Sequence, residues 1–169
     1  MSAGCGAPGM CAACTRCSDV HVVDPLNDDL LDHDMRRRIL EVTERMGARP
    51  EDLPALGQAH EDARPFCWTA PEGGWHLTVR ERDRLLSDRH TTDPDEFVSW
   101  VAESVSERIA LRLHPPEQSG FRAASWRAQY QLLRGIEPAW ADAWLTATRS
   151  ALTAAGADRA VLDMLPAPS

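Results

Sequence analysis

The chain has 169 residues, 43% of them apolar, and a formal net charge of −8 at pH 7. That length and apolar content suit one folded domain with a real core and argue against wholesale disorder, and the absence of any run of 18 apolar residues excludes a membrane-spanning helix. An acidic surface repels nucleic acid and suits a basic protein partner; the basic residues, 18 arginines without one lysine, reflect a GC-rich coding sequence rather than a mechanism.

Residues 1–25 read as a flexible tail rich in Gly, Ala, Ser and Cys, with no helical or strand period. There is no basic segment followed by an apolar stretch, so no secretory signal is expected and the expected compartment is the cytoplasm, where thiols stay reduced. The tail holds CGAPGMCAACTRC, in which Cys5, Cys11, Cys14 and Cys17 follow the spacing C-x5-C-x2-C-x2-C. Thiolates so spaced can turn back on one zinc ion or contribute to an iron–sulfur cluster. The flanks offer no element to hold such a site, and no second Cys pair follows. The reading taken is therefore no metal and no cofactor, with a metal- or redox-responsive protein using these four ligands as the alternative.

Residues 26–165 read as a single domain and 166–169 as a short C-terminal tail. A first helix is expected to start at Asp28 or Asp29, with Leu31, Met35, Ile39, Val42 and Met46 on one apolar face, and to stop at Gly47 and Pro50. RPFCWTA and GWHLTVRE, separated by PEGG, read as a β-hairpin in which Gly73 and Gly74 supply the positive φ of the turn. RLLSDRHTT reads as a third strand that completes a meander after a turn at Arg82–Asp83. A long helix then opens with Thr92 or Asp93 as its cap and Pro94 in its first turn, buries Phe97, Val101, Val105 and Ile109, and ends before Pro115 and Pro116. A third helix is expected from Gly120 to Arg134 with Phe121, Ala124, Ala128 and Leu132 inward and Gly135 as its stop. A fourth begins at Pro138 with Trp140, Trp144, Ala147 and Ala151 inward, and a short last helix covers Asp158–Leu165. The fold class is α+β, a small antiparallel meander packed against four or five helices.

No H-E-x-x-H, nucleophile elbow, P-loop or G-x-G-x-x-G occurs, so no catalytic residue is assigned. Cys67, between Phe66 and Trp68, reads as a small core side chain. His76 and His114 read as ordinary surface residues. Four of the six tryptophans, Trp68, Trp75, Trp100 and Trp126, are expected to meet in one core where the hairpin touches the helices, with a partner surface as the alternative for any one of them.

The stretch GWHLTVRERDRLLSDRHTTDPDEFVSWVAESVSERIA through RAQYQLLRGIEPAWADAW resembles a bacterial immunity-protein family of polymorphic toxin systems, immunity protein 63. The resemblance rests on Gly74–Trp75, the strand through Arg80–Glu81–Arg82, Thr91–Thr92–Asp93 leading into Phe97 and Trp100, and Gln131-Leu132-Leu133 with Pro138 and Trp140. It implies a non-enzymatic protein that binds and neutralises a cognate toxin encoded by a neighbouring gene, with neither nucleic acid nor membrane as partner. A basic nuclease toxin would suit the negative field. Candidate toxin-binding residues are Asp93, Asp95 and Glu96 at the start of the long helix and Glu103 and Glu107 on its polar side.

Overall fold

Asp32 caps the first helix of the computed structural model, which describes residues 30–167. The Cys-rich segment with Cys5, Cys11, Cys14 and Cys17 lies outside those residues, as do Asp28 and Asp29. The Asp32 carboxylate accepts the Met35 N–H at 2.8 Å, as an N-cap should. It also accepts the Thr69 hydroxyl and the Trp75 indole N–H. Tertiary partners thus pin the helix start at Asp32, later than the expected Asp28 or Asp29. Helix α1 runs His33–Arg45 and buries Met35, Ile39 and Thr43, with Gly47 at φ +70° just beyond its end.

A 3-10 turn at Pro50–Asp52 leads to β1 (Ala55–Leu56), β2 (Asp62–Thr69), β3 (Trp75–Glu81) and β4 (Arg84–Thr91). The sheet order is β1-β2-β3-β4. The expected meander β2–β3–β4 is present and antiparallel. The sequence did not show β1, which pairs parallel to β2 through Ala55↔Phe66 and Leu56↔Cys67. Two residues carry no readable period, so only the partner strand defines them.

The β2–β3 turn needs glycine at Gly74. Its φ is +86°, and a Cβ there would lie 2.5 Å from the Thr91 carbonyl oxygen. Between β3 and β4 the register moves from Val79↔Ser87 to Arg80↔Leu85, which leaves Leu86 as an extra, bulged residue.

Alternation sends Cys67, Leu77 and Arg89 to one side of the sheet and Phe66, Trp68, His76, Thr78 and Asp88 to the other. Helix α2 (Pro94–Leu113) packs against β3 and β4 from the first side. It buries Phe97, Val98, Val101, Ala102, Val105, Ser106, Ile109 and Ala110. Burial on more than one stripe makes α2 the central helix, touching α1, α3 and the sheet. Burial also pushes the Cys67 thiol well up, so this side chain packs as a small apolar group, as expected from its neighbours.

Two later helices show their buried faces displaced. α3 (Phe121–Ile136) buries Ser125, Gln129, Tyr130 and Leu133, not the expected Phe121, Ala124, Ala128 and Leu132. The shift is one residue, about 100° around the axis. Polar groups on the true face find partners: Gln129 Nε2 donates to the Glu103 carbonyl at 3.1 Å, and the Tyr130 hydroxyl donates to Asp142 at 3.0 Å. Gly135 does not stop α3. Glu137 does, in extended conformation ahead of Pro138. α4 (Pro138–Ala154) buries Ala141, Trp144 and Leu145, while Ala147 and Ala151 are exposed. α5 is only Arg159–Leu162, capped by Asp158.

One apolar cluster runs from Leu31 through α2 to Leu165. At its edge Arg112 clamps Asp52 through Nε at 3.1 Å and Nη2 at 2.7 Å, tying the 3-10 turn to the end of α2. Burial alone would lift the Asp52 carboxyl. Hydrogen bonds from Arg112 and the Arg49 N–H, together with the Arg112 charge, outweigh it and hold Asp52 below the usual Asp range.

Candidate protein-interaction groove

Helix α2 and its N-cap residue carry the five acidic residues singled out from the sequence, and the structure divides them. Asp93 is the N-cap, accepting the Asp95 N–H at 2.9 Å and the Glu96 N–H at 3.3 Å. Asp95 accepts from Arg38 of α1. These two side chains are occupied in holding the helix start. Glu96, Glu103 and Glu107 instead line depressions beside α2.

The first depression, about 240 Å³, lies between β4, α2 and α4. Arg89, Glu96, Trp100, Glu103, Trp140 and Trp144 line it. The second, about 210 Å³, is bordered by Pro65, Leu77, Val79, Ser87, Arg89, Trp100, Glu103 and Glu107. Arg89, Trp100 and Glu103 belong to both, so the two join into one groove along α2. Each half is below the ordinary size of a small-molecule pocket and matches a single inserted side chain.

Arg89 sits in the middle. Its guanidinium lies 4.2 Å from the Trp100 ring centre and its Nη1 donates to Glu103 at 3.3 Å. It is the one cation among the groove's lining residues, against three carboxylates. Glu96 accepts the Thr91 hydroxyl. Glu107 has no hydrogen bond or ion pair among the described residues. Partial desolvation against the groove raises its carboxyl above the ordinary Glu range, with Glu103 one turn away adding to the rise and Arg108 opposing it. The groove therefore combines aromatic walls, a net negative floor and one unmatched charge.

Sequence reasoning named the carboxylates and held a partner surface as the second reading of Trp100, but missed Arg89, Trp140 and Trp144 as lining residues. The expected single tryptophan core is not what forms. Trp144 is the buried one, whereas Trp75, Trp100, Trp126 and Trp140 only edge the core. Their spacing along different elements gave no sign that they would share a wall.

Trp68 lies on the opposite side of the sheet, where its ring stacks on His76 with centroids 4.1 Å apart. His76 is not an ordinary surface residue. Its ring also lies 4.5 Å from that of His90. Its Nδ1 is 3.0 Å from Asp88, and because a carboxylate only accepts, Nδ1 carries the proton. Asp88 also accepts the Thr78 hydroxyl at 2.7 Å. Burial would raise the Asp88 carboxyl, but these hydrogen bonds and the nearby histidines hold it below the usual Asp range. Beside this cluster Phe66, Trp68, Thr78, Arg80, Leu85 and Asp88 border a depression of about 320 Å³. No group of three or more His, Cys, Asp or Glu among the described residues is placed to hold a metal ion. No described helix is long and apolar enough to cross a membrane.

Residues 72–150 match the family described as Immunity protein 63. That segment spans β3 to most of α4 and contains every groove residue named above except Pro65. Comparisons with curated proteins and with solved structures give no match.

Proposed function

We propose, for a chain whose residues 72–150 match the Immunity protein 63 family, that it binds and neutralises a cognate toxin encoded by a neighbouring gene. Neutralisation works by occupation: the chain covers a surface the toxin needs and turns over no substrate. The observation that carries the reading is the groove along α2, inside the matched segment, where Trp100, Trp140 and Trp144 stand beside Glu96, Glu103 and Glu107. Tryptophans in desolvated pockets are the usual anchors of protein interfaces. Carboxylates around them favour a partner with a basic surface, such as a nuclease toxin, and the net charge of −8 would steer its approach. Asp93 and Asp95, engaged at the start of α2, add to the negative field and act on encounter more than on grip. Binding takes place in the producing cell's cytoplasm.

The test is co-expression. The chain should protect cells that express the neighbour-encoded toxin, and the purified pair should associate near 1:1. Toxicity left intact by an expressed, folded chain would defeat the reading.

A further inference from the structure

β4 is the last strand of the sheet, and no strand of the described residues pairs with its outer edge. Seven of its eight residues are exposed. Free edges are normally blunted by charge or by a bulge, because unpaired N–H and C=O groups invite another strand. β4 has both, yet it also presents two leucines to solvent: Leu85 is 56% exposed and Leu86 45%. Apolar side chains on a free edge work against blunting.

The depressions described above lie on the two faces of the sheet, and β4 borders each of them. Ser87 and Arg89 of β4 border the groove on the helix side. Leu85 and Asp88 border the depression on the opposite side, with Phe66, Trp68 and Arg80. A strand added to β4 would send its side chains alternately to the two sides, because strand side chains alternate. The helix side is acidic: Glu103 and Glu107 lie one turn apart on α2, and Arg89 is already engaged with Glu103 and Trp100. The opposite side offers apolar surface from Phe66, Trp68 and Leu85.

We propose that β4 is the docking rail for the toxin: an extended segment of the toxin pairs with its outer edge, pointing basic side chains towards the acidic helix side, where Glu103 and Glu107 lie, and apolar ones at Leu85. The inference rests on the toxin-binding reading and adds the surface, the pairing mode and the chemistry of the bound segment. Backbone pairing supplies grip, and the two unlike sides set which residues the segment must alternate.

The test is hydrogen exchange on the full chain, alone and with the neighbour-encoded toxin domain, together with binding by Glu107→Gln and Leu85→Asp. Both substituted side chains are exposed, so both variants should fold. The expected result is a tenfold or greater slowing of exchange at some amides between Arg84 and His90 in the complex. Each variant should bind at least about fivefold more weakly. A complex that forms with β4 exchange unchanged and both variants binding normally overturns this inference and leaves the toxin-binding reading standing. No complex at all overturns both. Protection of β4 that grows with the chain's own concentration, without toxin, assigns the edge to a second copy of the chain and also overturns the inference.

Discussion

Glu107 shows how a single residue can be unfavourable in the free protein and useful in a complex. Its carboxyl is raised by the protein around it and by Glu103, and no described cation pairs with it. In the unfolded chain it titrates near the ordinary 4.5. As pH falls, the folded state therefore takes up the proton first, so the charge destabilises the fold at pH values above the raised folded value. Below 4.5 both states are protonated and the effect vanishes. Glu107→Gln should accordingly raise the melting temperature at pH 7 by about 1–2 °C, from about 0.5 kcal/mol of relieved like-charge contact. The gain should be absent at pH 3.5, and thermal melts at the two pH values check it. An unchanged or lowered melting temperature at pH 7 would mean that Glu107 has a stabilising partner.

Among the elements, the β2–β3 hairpin was the most legible and rests on one glycine. GWHLTVRE alternates apolar and polar residues, and Gly73–Gly74 supplies the only backbone that fits the turn. At Gly74 the φ of +86° disfavours any side chain, and the Thr91 carbonyl at the end of β4 occupies the space a Cβ would need. Gly74→Ala should destabilise the fold by about 2–3 kcal/mol, combining left-handed strain with a backbone clash. Gly73→Ala meets no neighbour within 4 Å and should cost only the strain, about 1 kcal/mol. Chemical denaturation of the two variants separates the contributions; equal losses would mean that the close approach to β4 contributes nothing. In contrast, α3 and α4 were found as helices but with displaced inner faces. The true face of α3 includes Ser125 and Gln129, which hydropathy does not mark as buried and which are buried because the neighbouring helix meets them.

The molecule as a whole carries a charge of −8, and its groove holds three carboxylates against one arginine. If a basic toxin is the partner, association should slow as salt screens this field. Between about 20 mM and 300 mM salt the association rate should fall tenfold or more, with a much smaller change in dissociation. Stopped-flow or surface-binding kinetics at several salt concentrations read this directly; a salt-independent association rate would exclude electrostatic steering and with it the strongly basic partner.

The sequence by itself determined the α+β class, the meander, the start of the long helix to within Thr92–Pro94 and its Phe97–Ile109 ridge. These depend on local spacing, capping and turn chemistry, which neighbours along the chain settle among themselves. It also placed carboxylates along α2. Only the tertiary structure decided which of them share a groove with Trp100, Trp140 and Arg89, and that His76 joins Trp68, Asp88 and His90 across three strands. Contacts between residues far apart in the chain leave no periodic trace. They exist because strand register and helix packing bring separate faces together, and a register moved by one residue would turn each of these side chains to the other side of the sheet.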